Sequence, residues 1–169
     1  MGDSSGDLSI TALYTSGVWA WAAFPGADLY ASPDSDRVFR VTEFVMRIAR
    51  WINGGPSLKH SLAQRHFILD HLAEQSAPET VVELAAGLSR RGAHMSERVR
   101  YVEVDLPHMI EAKRARLAGA PAPVQAALGD RLQLTSRNIL EASFAGELRA
   151  LIANAKRPVV IMEGVLMYF

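Results

Sequence analysis

The chain contains no cysteine among its 169 residues. This absence excludes disulfide bonds, zinc sites built from thiolates and a cysteine nucleophile. The chain also has no apolar run long enough to cross a bilayer, and its polar, acidic N-terminus lacks the basic and apolar segments of a secretory signal. We therefore expect a cytoplasmic protein without a membrane-spanning segment.

An excess of charge of either sign is also absent, because 18 basic and 18 acidic residues cancel. Such a chain has no overall field that would draw it to nucleic acid or to an anionic membrane. A small molecule or a protein is the expected substrate. The spacing of the five histidines does not suit a metal site, and we predict none. With 49% hydrophobic residues, the chain should form one globular domain with a real core.

Two amphipathic helices are predicted before any strand. The first spans residues 34–53 behind a cap at Asp34 or Ser35, and the second runs from a Ser57 cap to about Gln75. In both helices we expect the apolar stripe to be buried. The stripes comprise Val38, Phe39, Val41, Phe44, Val45, Ile48, Trp51 and Ile52, and then Leu58, Leu62, Phe67, Ile68, Leu69 and Leu72.

From residue 78 onward the hydrophobic period changes, and strands alternate with helices. Helices are expected at 107–117 and 141–154. This alternation predicts a parallel sheet with right-handed crossovers. We therefore predict an α/β, Rossmann-like fold, with a helical cap at 1–77 and the sheet at 78–169, together one domain. Short apolar runs place its four strands at 80–85, 100–105, 132–135 and 158–163.

The most informative segment is the small-residue turn after the first strand, Ala85-Ala86-Gly87. Small side chains let a ligand approach the backbone, and Gly87 can adopt a positive φ if the turn requires it. In an open α/β sheet, ligands bind beyond the carboxyl ends of the strands. A dinucleotide enzyme would have three glycines here, whereas this turn has one. Taken alone, the turn fits a nucleoside-like ligand or a plain structural turn.

Asp105 ends the second strand and could accept hydrogen bonds from the two hydroxyls of a ribose. The same residue could cap the helix that begins near Pro107, and the two roles can coexist. Lys113, Arg114 and Arg116, towards the other end of that helix, are expected to be solvated.

Three segments follow one another along the chain: VVELAAGLSRRG at 81–92, YVEVDLP at 101–107 with Lys113 downstream, and EGVLMYF at 163–169. In this order and spacing they resemble the signatures of the leucine carboxyl methyltransferase-like family, which groups class I S-adenosylmethionine-dependent O-methyltransferases, including polyketide-type bacterial members. The resemblance covers nearly the whole chain. It implies S-adenosylmethionine as the cofactor, and methyl transfer to a carboxylate or hydroxyl of a small molecule or protein terminus.

The resemblance also implies roles for individual residues. Glu83 and the backbone from Ala85 to Gly87 would line the methionine part of the cofactor, and Asp105 would hold its ribose. Arg65 would pair with the cofactor carboxylate, which a guanidinium can bind through two parallel hydrogen bonds. Glu163 would face the amino-acid portion.

Three further residues have weaker support. The family usually places an aspartate beside the adenine, where this chain has Arg137-Asn138, and Asn138 could accept a hydrogen bond from the adenine amino group. Tyr14 and Tyr168 are candidates for the substrate-side wall on family grounds. No catalytic residue is assigned.

The chain ends at Phe169, where the family continues, so we expect a C-terminally truncated methyltransferase. Its fourth strand would be an exposed apolar edge, which favours self-association or a partner chain. A truncated, non-catalytic cofactor-binding or scaffold relic of the fold is the main alternative. An NAD(P)-binding oxidoreductase would share the turn and Asp105, but the single glycine and the Glu163-Gly164 signature argue against it.

Overall fold

The computed structural model of the chain describes residues 10–127 and 130–164. In this part, three α-helices precede the sheet: α1 (Ile10–Trp21), α2 (Pro33–Asn53) and α3 (Leu58–Gln75). A short 3-10 helix (Ala27–Leu29) lies between α1 and α2. None of the described helices combines the length and apolar character that crossing a membrane requires.

Four parallel strands form the described sheet: β1 (Thr80–Leu84), β2 (Arg100–Asp105), β3 (Leu132–Ser136) and β4 (Pro158–Met162). Their spatial order is β3-β2-β1-β4, as in one half of a Rossmann sheet. The predicted α/β, Rossmann-like fold is therefore confirmed. The helices that follow the first strand are α4 (Arg91–Met95), α5 (Pro107–Leu117), α6 (Ala122–Ala127) and α7 (Phe144–Ile152).

The core lies on both faces of this sheet. All five residues of β1 are buried, because β1 is a central strand with packing on each face. On one face, Val81 and Tyr101 belong to a large cluster that includes Trp19 and Tyr30. On the other face, Val82 and its neighbours pack against Phe144. The cap therefore contributes to the core on one side of the sheet and α7 on the other.

The predicted burial of the apolar stripes of α2 and α3 is largely wrong. In α2, 54% of Phe44 and 88% of Trp51 are exposed, and in α3 63% of Phe67 is exposed. Helix α2 packs on α1 around Phe39, one residue of the predicted stripe, where a Cβ on Gly17 would lie 2.5 Å from Phe39 Cβ. An apolar period predicts that a helix is amphipathic, but the shape of its neighbour decides which side packs. Val41, Val45, Ile48, Ile52, Ile68 and Leu72 are exposed as well.

The start of α2 also differs slightly from the prediction. The cap is Ser32, not Asp34 or Ser35, and Pro33 occupies the first helical turn. The Ser35 N–H donates to Ser32 Oγ at 3.1 Å, and the Ser32 N–H donates to Ser35 Oγ at 2.8 Å. This reciprocal capping box explains why Ser35 is buried while most of α2 is not.

Lys113 was expected to be solvated, but it is fully buried and forms an ion pair with Glu103 of β2, which is also fully buried. Burial raises the pKa of Glu103 to about 7, although the ammonium of Lys113 acts in the opposite direction. Space for the pair is limited, because a Cβ on Gly92 would collide with the Glu103 carboxylate. Arg116, which was also expected to be solvated, donates a hydrogen bond to the Tyr30 carbonyl at 2.7 Å.

We expect Lys113→Met to lower the free energy of unfolding by about 3 kcal/mol, because it leaves a carboxylate buried without its cation. Urea unfolding at about pH 8 measures the loss. The double variant Glu103→Gln/Lys113→Met is the control, and should recover much of the stability because neither charge then remains. An unchanged midpoint for Lys113→Met would contradict this role of the pair.

Candidate functional site

A cavity of about 430 Å³ lies at the carboxyl ends of the strands, bordered by α1, α3 and the turn after β1. Its volume is within the range of small-molecule sites, and its position is the one expected in an open α/β sheet. The structure brings seven of the predicted site residues together in its lining: Arg65, Glu83, Ala85, Gly87, Asp105, Asn138 and Glu163.

The turn after β1 has an unusual backbone. Ala85 and Gly87 both have positive φ values, 49° and 52°, in the left-handed region. This conformation costs a residue with a Cβ about 1–2 kcal/mol, and such strain is concentrated at ligand sites. Nothing among the described residues lies within 4 Å of where a Cβ on Gly87 would be. The turn therefore presents bare backbone to open space in the cavity wall.

Asp105 holds this turn in place. Its Oδ2 accepts the Gly87 N–H at 2.5 Å, and its Oδ1 accepts the Leu106 N–H at 2.7 Å. A carboxylate offers about four lone-pair positions, so acceptor capacity remains for a diol. The alternative helix-cap role is not observed, because α5 has Leu106 at its N-cap and no side-chain cap.

Asn138 and apolar side chains line the cavity near the end of β3. The Asn138 Oδ1 accepts the Leu140 N–H at 3.1 Å, which leaves one lone pair and the amide donors of this side chain. Arg137 precedes Asn138 at the place where the family usually has an aspartate, and it donates a hydrogen bond to Glu147 of α7 at 2.8 Å. Ile139 and Met109 add apolar surface that suits a flat ring.

The charged side of the cavity is organised by a residue that was not predicted, Arg91 at the start of α4. Its Nε donates to Asp70 at 2.6 Å, its Nη1 to Glu83 at 2.8 Å and its Nη2 to Glu163 at 2.7 Å. His66 Nδ1 lies 2.9 Å from the same Nη2. We call Arg91, Asp70, Glu83, Glu163 and His66 the Arg91 cluster.

Glu163 joins this cluster to Arg65. The Arg65 Nε donates to Glu163 Oε1 at 2.7 Å, and among the described residues its two Nη nitrogens have no hydrogen-bond acceptor. Burial disfavours the charged form of Glu163, but hydrogen bonds and charge from His66 and Arg91 lower its pKa to about 2. A guanidinium with free donors therefore lies beside a carboxylate that stays ionised.

Of the two substrate-side candidates, Tyr14 is not part of this arrangement. Tyr14 is buried between α1 and α2, where it stacks on Phe39 and its hydroxyl donates to Glu43 at 2.7 Å. It is not among the described residues that line the cavity. Tyr168 lies outside the described residues. Trp19 and His66, which were not assigned to the site, do line it.

We expect Glu163→Gln to lower the free energy of unfolding by about 2 kcal/mol at neutral pH, because Arg91 and Arg65 lose a charged acceptor. The folded-state pKa of Glu163 is below its ordinary value of 4.5, so its stabilisation is complete above about pH 4.5 and is lost as the pH falls towards 2. The difference between variant and wild type should shrink over that range in urea unfolding. The exposed Glu97→Gln is the control. A difference that is constant with pH would contradict this assignment.

Comparison with known proteins identifies a family whose sequence pattern matches most of this chain. Residues 30–169 match the leucine carboxyl methyltransferase family. No curated protein matches the chain. One similar solved structure is the crystal structure of the glycopeptide N-methyltransferase MtfA complexed with sinefungin, with 29% identity and a TM-score of 0.34. The matched region covers 41% of this chain and 28% of that chain.

The family match includes the three signature segments and the residues of α3, the turn and the strand ends that line the cavity. It therefore confirms the resemblance that the sequence motifs indicated. The chain belongs to the leucine carboxyl methyltransferase family, whose members are S-adenosylmethionine-dependent methyltransferases.

Proposed function

We propose that the protein is an O-methyltransferase that uses S-adenosylmethionine to methylate a carboxylate or hydroxyl of a small molecule or protein terminus. The observation that carries this proposal is that one cavity is lined by Asp105, a left-handed small-residue turn, and the adjacent opposite charges of Arg65 and Glu163. The cofactor has matching groups: a ribose diol, an adenine, and an amino acid that carries both charges.

The residues of the cavity fit these groups by their chemistry. The amino-acid end of the cofactor needs a cation for its carboxylate and an anion for its ammonium, and Arg65 and Glu163 provide them side by side. The remaining lone pairs of Asp105 suit the ribose hydroxyls. Asn138, with its remaining lone pair, suits the adenine amino group.

The cofactor supplies an electrophilic methyl group on a sulfonium. The contribution of the protein is then to hold the acceptor oxygen in line with that methyl group and to exclude water, which can account for most of the acceleration. An acceptor carboxylate is already ionised at neutral pH and needs no general base. A carboxylate acceptor can therefore be methylated without a catalytic base among the cavity residues.

We also propose that β4 contacts another chain, either a second copy or a partner. Among the described strands β4 pairs only with β1, and none of them pairs with its other backbone edge. Val160 and Met162 are 43% and 46% exposed on this strand. An apolar strand with a free edge favours intermolecular pairing. We place this assembly in the cytoplasm, as the sequence suggests.

We expect S-adenosylhomocysteine to bind the purified chain, and Asp105→Ala to weaken binding roughly 10- to 100-fold, because hydrogen bonds from the diol to a charged acceptor are lost. Titration calorimetry measures both affinities. Glu97→Ala removes an exposed carboxylate outside the cavity and should bind like wild type. A folded wild type without affinity would support the non-catalytic scaffold alternative, and preference for a nicotinamide dinucleotide would support an oxidoreductase.

The acceptor class can be tested with a labelled methyl group. We offer labelled S-adenosylmethionine with a panel of carboxylates, phenols and amines, and expect a product from a carboxylate or a phenol, with Asp105→Ala as the inactive control. A methyl ester releases its label as methanol in alkali, whereas an ether or a methylated amine keeps it. Label that stays bound to an amine would contradict O-methylation.

A further inference from the structure

Arg91 contacts acids that come from three separate elements. Asp70 belongs to α3, Glu83 to β1, and Glu163 follows β4. The side chain of Arg91 is only 3% exposed, so these contacts are made away from bulk water. Arg91 therefore connects the cap to the carboxyl ends of two neighbouring strands.

A guanidinium suits this position because it is planar and has five N–H donors in a fixed arrangement. Glu83 is a residue of β1, and Glu163 follows the neighbouring strand β4, so two carboxylates approach the same cation. Without that cation the two carboxylates would repel each other. A lysine at position 91 would keep the charge but could not reach all three acids in this geometry.

We propose that Arg91 is a positioning residue, which holds Glu163 in the orientation that recognises the ammonium group of the cofactor's amino-acid end. This inference rests on the proposed function. Arg91 occupies one lone pair of Glu163 Oε2, while Arg65 donates to Oε1, which also lies 3.1 Å from His66 Nδ1. Both carboxylate oxygens are therefore held, and an acceptor position remains on Oε2.

Arg90 provides a natural contrast to Arg91. It is equally buried, pairs with the same Asp70, and donates to the Pro25 carbonyl at 3.0 Å. Its guanidinium lies 4.3 Å from the centre of the Phe24 ring. Arg90 is not among the described residues that line the cavity, whereas Arg91 is. Replacing either arginine perturbs a buried ion pair, but only one replacement affects Glu163.

The test compares Arg91→Lys with Arg90→Lys, using two ligands in titration calorimetry. S-Adenosylhomocysteine carries the amino acid, and 5′-methylthioadenosine has the same nucleoside without it. We expect Arg91→Lys to weaken S-adenosylhomocysteine roughly 10- to 100-fold and to leave 5′-methylthioadenosine within about twofold. Arg90→Lys should leave the ratio of the two affinities unchanged. Asp70→Ala, which removes the acceptor of Arg91 Nε, should reproduce the selective loss if Arg91→Lys does not fold.

Three outcomes overturn the inference. An Arg91→Lys variant that keeps the wild-type affinity for both ligands shows that Glu163 does not depend on Arg91. Equal weakening of both ligands shows that Arg91 only supports the fold. A folded wild type that binds neither ligand overturns the proposed function and this inference with it, and is thereby distinguished from the first two outcomes.

Discussion

Burying a carboxylate costs free energy unless a cation is buried with it, and this constraint organises the sheet of the protein. Glu83 in β1 and Glu103 in β2 are both buried, and each has its own cation. Lys113 of α5 forms an ion pair with Glu103, and Arg91 forms ion pairs with Glu83 and Glu163. The positions of α4 and α5 beside the sheet are thus fixed by charge as well as by apolar packing.

The same constraint explains how the cap is joined to the cavity. Helix α3 approaches the strand ends with polar groups: Asp70 binds Arg90 and Arg91, and Arg65 binds Glu163. Three of its apolar residues, Phe67, Ile68 and Leu72, are exposed, as are most of those of α2. The part of the cavity wall that α3 forms is therefore held by ion pairs. The same charged side chains are available to bind a ligand.

Much of the sheet and cavity could be predicted from the sequence, because those signals are local. A short β-branched run followed by small residues predicts β1 and its turn. The position of Asp105 at the end of β2 predicts that its carboxylate lies at the cavity. The partners of the charged residues could not be predicted, since they depend on which elements meet in space. Lys113 and Arg91 look like surface residues in the sequence, yet each is buried against acids from other elements. The two adjacent arginines a few residues after the small-residue turn were the available signal for Arg91.

The charge balance of the cavity separates the two classes of nucleoside ligand that share this fold. Around the Arg91 cluster, the guanidinium groups of Arg65, Arg90 and Arg91 are matched by three carboxylates. The zwitterionic end of an amino acid adds no net charge to such an arrangement. A pyrophosphate would instead bring two negative charges to a cavity that already contains Glu83, Asp105 and Glu163. Since each described arginine around the cavity already has a carboxylate partner, repulsion would disfavour a dinucleotide here. The electrostatics of the cavity therefore favour a cofactor with an amino-acid end, independently of the glycine count in the turn.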